Sequence, residues 1–225
     1  MQGKTHRIGG ALCALTGFTI LEANNMLIPE VNPVLQLAVM YPFALYGSIV
    51  SDLDHNWNSA PAKDPISKGI NTLLHLTTGI RKKTGKKLNP VLSVFDAKHR
   101  SWQTHSDLFL FLFIILGIWV GNSGISNVNG IIFKLVMFGF VLGLISHLVL
   151  DAITPEGIWC IIPSVIRRKK VTFRLVPRTK FFATGGPWES IIRTLMWVVI
   201  ILLCICQESL LLSLVSYLIL VKKLY

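Results

Sequence analysis

Residues 131–151 read IIFKLVMFGFVLGLISHLVLD. The run is long enough to cross a bilayer, since roughly 20 apolar residues at the helical rise span the ~30 Å hydrocarbon layer. Its polar residues sit towards the ends: Lys134 near the start, His147 and Asp151 at the finish. His147 and Asp151 are four apart and share one helical face, and Pro155 stops the helix shortly after. The stretch therefore predicts a membrane-crossing helix whose last turn presents an imidazole and a carboxylate together. Such a pair either ligates a metal ion or glues two spans by an interhelical hydrogen bond.

Working outward, five more apolar stretches flank it: 8–21, 34–50, 108–120, 191–206 and 210–221. Apolar residues make up 52% of the 225, and charged residues only 15%, well below the quarter expected of a soluble domain. This excludes a disordered chain and argues against a soluble enzyme. The net charge of +11 argues for topology rather than for nucleic-acid binding, because Lys and Arg accumulate in cytoplasmic loops. Nine of them lie in 51–106 and seven in 152–190, with Lys4 and Arg7 before the first stretch and Lys222 and Lys223 after the last. The intervening connections carry none at 10–61 and none at 122–129. The expected fold class is all-α: a polytopic membrane protein of about six short transmembrane helices, both termini cytoplasmic, with a long basic cytoplasmic loop. Residues 1–225 form one integral membrane domain, and 60–98, punctuated by Pro and Gly, is its mobile loop. Stretches 191–206 and 210–221 read as a hairpin turning at Gln207-Glu208, since a single helix would place Lys222 and Lys223 outside. No small-x-small site ends the first stretch before Glu22, and Leu12 precedes Cys13, so an uncleaved first span is expected rather than a secretory leader. Cys13, Cys160, Cys204 and Cys206 have no CxxC spacing and read as reduced filler.

This topology gathers polar residues at one membrane face. His6 precedes the first span; Asp52, Asp54 and His55 follow the second; His99 and His105 precede the third; His147 and Asp151 close the fourth; Glu156 follows them, and Glu189 precedes the fifth. Ionisable groups at membrane depth are costly unless they pair, face a cavity or bind something. Imidazole with carboxylate is the ligand set of Zn²⁺, Mn²⁺ or Fe. Blander readings exist for single members. Asp52 and Asp54 suit a helix-end turn, Glu189 suits the cap of a helix N-terminus, and His75 is an ordinary interfacial histidine. Thr104 or Ser106 suits the N-cap of the third span. Arg100 has the fork geometry that grips phosphate or carboxylate.

Taken in order, His6-Arg7-Ile8-Gly9-Gly10, Gly47 to His55, His99-Arg100 with Thr104-His105-Ser106, Ser146 to Gly157, and Gly185-Gly186-Pro187-Trp188-Glu189 resemble the YdjM-like family of membrane-bound, metal-dependent hydrolases of the inner membrane. The block from Ser146 to Gly157 carries the resemblance most specifically. Two positions depart: Ser51 stands where the family has Pro, and His99 and His105 are one residue further apart. The resemblance implies His6, Asp52, Asp54, His55, His99, His105, His147 and Asp151 as metal-site residues, with Glu189 also marked. On this reading one or two divalent ions are held, zinc first and Mn or Fe as alternatives. Glu189 or Glu156 is the general base, and Arg100 holds the substrate's anionic group. The expected substrate is an ester or phosphoester of a phospholipid or other amphiphile. The rival expectation is a non-catalytic, metal-stabilised adaptor that binds a soluble protein through its basic loops. A transporter is disfavoured, because the spans are nearly free of mid-span polar residues.

Overall fold

Local capping chemistry sets the helix boundaries. Asn32 precedes Pro33, and its Oδ1 accepts from the Val34 N–H at 2.8 Å, so α2 runs Pro33–Val50 with Pro at the first position, where no N–H is needed. Ser106 accepts from the Phe109 N–H at 3.2 Å and starts α3, Asp107–Asn122. Of the two hydroxyls that suit this cap, Ser106 fills it. A computed structural model describes residues 3–29, 31–50, 52, 106–123, 128–167, 171–177 and 179–206. In chain order they form α1 (Gly3–Ala23), α2, α3, α4 (Val128–Ala152), β1 (Ile158–Trp159), α5 (Ile161–Arg167), β2 (Thr172–Phe173), a 3-10 turn (Lys180–Phe182) and α6 (Pro187–Cys206). The loop 60–98, the stretch 210–221 and the turn at Gln207-Glu208 lie outside the described residues, as do Asp54, His55, His99, Arg100 and His105.

The five long helices coincide with five of the six apolar stretches. Three of them, α2, α4 and α6, are long and apolar enough to cross a membrane. Helix α3 is shorter at 16 residues. Helix α1 opens with Lys4, His6 and Arg7 inside its first two turns, which dilutes its apolar character; His6 is therefore a helical residue and not one preceding a helix. One feature departs from an all-helical chain. Ile158 pairs with Phe173 and Trp159 with Thr172 in a two-residue antiparallel ladder. Strands of two residues are too short to show alternation in the sequence.

Helix α4 is the centre of the bundle. It packs most closely on α2, while α1 lies against both, α3 leans on α4, and α6 on α1. The α2–α4 approach is set by small residues. A Cβ added at Gly139 would strike the Met40 carbonyl oxygen, and one at Gly143 the Ala44 carbonyl oxygen. Spaced four apart, these glycines are the small-xxx-small device by which membrane helices come close in the absence of a hydrophobic drive between them. Leu15, Phe18, Leu37, Met40 and Leu135 fill the adjacent core. At one end of the bundle Phe109 and Phe113 of α3 pack with Phe140 of α4, the latter pair with ring centroids 5.1 Å apart.

Candidate metal centre

The stripe of α4 that carries Gly139 and Gly143 continues at the same four-residue spacing to His147 and Asp151. The face that approaches α2 thus delivers the imidazole and the carboxylate into the interior. His147 is fully buried and Asp151 is 1% exposed. Helix α1 repeats the pattern with His6, Gly10 and Ala14 on one face, all buried. His6 is brought against the α4 pair, and its ring stacks on that of His147 with centroids 3.9 Å apart and planes 17° from parallel.

The distances define one cluster. Nε2 of His6 is 3.5 Å from Asp151 Oδ1, and Nε2 of His147 is 3.3 Å from Asp151 Oδ2. One ligand atom from each of His6, His147 and Asp151 lies within 4.8 Å of the others. Asp52, just past the end of α2, stands 3.9 Å from His147 Nε2 and is 19% exposed, so it is the member of the group that reaches solvent.

The tautomer of His147 follows from its partner. Its Nδ1 lies 2.6 Å from the carbonyl oxygen of Ser48, and a carbonyl can only accept. That oxygen is one of the last four of α2, which have no helical N–H to bind. Nδ1 therefore carries the hydrogen and Nε2 turns its lone pair towards Asp151. Two electron-rich atoms facing each other at 3.3 Å in a dry interior repel strongly. A proton on Nε2 relieves this for one ring; a divalent cation relieves it for both rings and the carboxylate together. Neither ring nitrogen of His6 has a hydrogen-bond partner among the described residues, although buried polar groups nearly always have one. The donor set and the orphaned nitrogens both fit a bound divalent ion. A backbone carbonyl fixing a ligating histidine through its other nitrogen is the usual supporting arrangement of such sites.

Glu189 holds a different position from that of a free base. It is buried on the first turn of α6, where its Oε1 accepts from Thr5 at 2.5 Å and its Oε2 from the Gly185 N–H at 2.6 Å. The second contact resembles a capping box shifted by one residue: the third helical residue reaches back past the cap position to Gly185, while the Gly186 N–H is bonded to the Ala183 carbonyl. The first clamps α6 to the residue beside His6. Glu156 is exposed on the turn that follows α4. Asp107 accepts from the Ile161 N–H at 2.9 Å and from the Leu108 N–H at 2.8 Å, tying α3 to α5. Sequence reading passed over Ser48, Thr5 and Asp107. Their roles depend on packing, and no spacing rule flags them.

All four cysteines are free thiols. Cys160 lies on the connection between α4 and α5. Its burial, and then the nearby Asp107 carboxylate, push its thiol above the ordinary range, so it offers no thiolate to a metal.

A helical bundle with three helices of membrane-crossing length, and a dry pair of imidazoles and a carboxylate at one end, defines a polytopic membrane protein with a metal-type centre. The chain belongs to the YdjM inner membrane protein family, whose model matches residues 1–218. It is also similar to YvsG, an uncharacterized protein of Bacillus subtilis (strain 168), with 30% identity over 169 residues covering 74% of this chain and 76% of that one. No solved structure matches. The family and the apolar helices make this a multi-pass inner-membrane protein.

Proposed function

We propose that the chain is a membrane-embedded, metal-dependent hydrolase that acts on an ester or phosphoester of an amphiphilic or lipid substrate. The observation that carries this reading is the meeting of His6, His147 and Asp151, from the first and fourth long helices, within 4.8 Å in the bundle interior. These three would hold the ion. Zinc suits two imidazoles and a carboxylate best, and Mn or Fe is accommodated by the same set. When bound, a divalent ion supplies Lewis acidity, lowering the pKa of water towards ~7 and polarising an ester oxygen.

The chain's own residues do the rest. Ser48 fixes the His147 tautomer through its carbonyl. Glu189 positions His6 through Thr5, which suits a positioning residue better than a proton-transfer group, because both of its oxygens are engaged. Asp52 faces the solvent-accessible side and is placed to take a proton from an approaching water. Asp54, His55, His99 and His105 complete the ligand set or hold a second ion, and Arg100 binds the anionic group of the substrate. The charge asymmetry supports six spans with both termini and this centre on the cytoplasmic side. A substrate at that depth comes from the bilayer surface.

Enclosure of the three ligands favours a second reading. Structural metal sites are closed, whereas catalytic ones keep an open position. On that reading the ion staples a non-catalytic adaptor whose basic loops bind a soluble protein. Metal analysis of detergent-purified protein tests the site. Wild type should carry about one ion per chain or more, and His147→Ala with Asp151→Ala should lose it; full retention in the double variant would overturn the assignment. Turnover of a short-chain phospholipid or phosphoester that disappears in Asp52→Asn, with metal content intact, separates the hydrolase from the adaptor.

A further inference from the structure

We propose a second site, distinct from the metal centre, that binds an anionic phospholipid at the opposite end of α4. A cavity of about 400 Å³ opens between α1, α3 and α4, a volume in the range of small-molecule sites. Its walls are aliphatic and aromatic: Leu21, Ile28, Ile114, Ile118, Phe138 and Val141. Ile118 and Phe138 are themselves 59% and 37% exposed, so the cavity opens sideways between α3 and α4.

Two polar side chains line it, Gln36 and Lys134. Gln36 is committed to the chain: its amide accepts from the Ile28 N–H and donates to the carbonyls of Ile28 and Val31. Lys134 makes no hydrogen bond or ion pair among the described residues. A cation in the apolar part of a membrane helix is expensive and generally marks a counter-ion or a ligand. Lys134 is thirteen residues before His147, about 20 Å along the helix, so it cannot serve the metal centre. It is six residues after the start of α4 at Val128, about 9 Å from that end. Side chains on a helix lean towards its N-terminus, which carries the ammonium to the level where lipid phosphates lie. The apolar walls below it take an acyl chain. Charge and shape together select a lipid with a net negative headgroup over a zwitterionic one, and the bilayer itself supplies it.

Native mass spectrometry of the protein released from nanodiscs tests this. Nanodiscs of phosphatidylglycerol should yield a retained lipid adduct on wild type, and nanodiscs of phosphatidylcholine should yield far less. Lys134→Gln should lose the adduct, Lys134→Arg should keep it, and Val141→Trp, which fills the cavity with the lysine intact, should also lose it. Metal content should be unchanged in all three variants, so the outcome stands apart from the hydrolase reading. Equal retention of the two lipids by wild type, survival of the adduct in Lys134→Gln, or no adduct from either lipid would overturn the site.

Discussion

His147 shows how much a single ring can report. A carbonyl in the last turn of α2 fixes one nitrogen, and that choice turns the other into a lone-pair donor facing a carboxylate. The i and i+4 spacing with Asp151 was legible in the chain; the Ser48 contact was not, because it joins residues 99 apart. Glu189 illustrates the converse. Its position ahead of an apolar stretch was legible, and both a base and a cap were open to it. The structure shows a buried carboxylate taking one hydrogen bond from Thr5 and one from Gly185. Hydrogen bonds to a charged group contribute roughly 1.5–3 kcal/mol each. Glu189→Ala should therefore destabilise the protein by a few kcal/mol and weaken metal retention through the displaced first turn of α1. Glu189→Gln keeps an acceptor for Thr5 and should recover much of both. Thermal unfolding in detergent, followed alongside metal content, checks this; an alanine variant as stable and as metal-loaded as wild type would remove Glu189 from its positioning role.

At the scale of the element, the four-residue stripe of α4 unites packing and chemistry. Gly139 and Gly143 let the backbone of α2 come close, and His147 and Asp151 occupy the next two positions of the same face. Helix extents were readable from apolar runs and from caps such as Asn32 and Ser106, whose side chains act within three residues. The first turns of α1 were harder, because Lys4, His6 and Arg7 look like a flank until His6 is seen buried beside α4 while Lys4 and Arg7 stay exposed. Gly143→Leu should push α2 away from α4, since even a Cβ there meets the Ala44 carbonyl oxygen. Overpacking of this kind costs about 1–3 kcal/mol. The same displacement breaks the Ser48 to His147 hydrogen bond, so metal retention should fall more steeply than stability. A substitution on the exposed face of the same helix, Val149→Leu, should change neither. Parallel metal analysis and thermal unfolding of the two variants distinguish these effects.

At the scale of the whole molecule, successive long helices bring their ends together at the metal centre. Thr5 bonds Glu189, His6 meets Asp151, and His147 meets the end of α2. A multi-pass chain achieves this by alternating direction, which places α1 and α6 starts beside α2 and α4 ends. With six spans, charge asymmetry predicts that reporters fused after Lys4 and after Tyr225 both read as cytoplasmic, and that a cysteine at Ser123 is labelled from the opposite side. A C-terminal reporter on the outer side would show that 191–221 is one span and would retire the hairpin. The sequence by itself determined the class of protein, the positions of the five long helices and the types of residue at the polar end, because apolar length, capping and i, i+4 spacing are local properties. Only the tertiary structure decided which of those residues meet. Contact between α1 and α4 depends on close approach at Gly9 and Gly17 of α1, where an added Cβ would meet the Leu150 and Leu142 side chains of α4, and that closeness is what brings His6 against His147 and Asp151 from far along the chain.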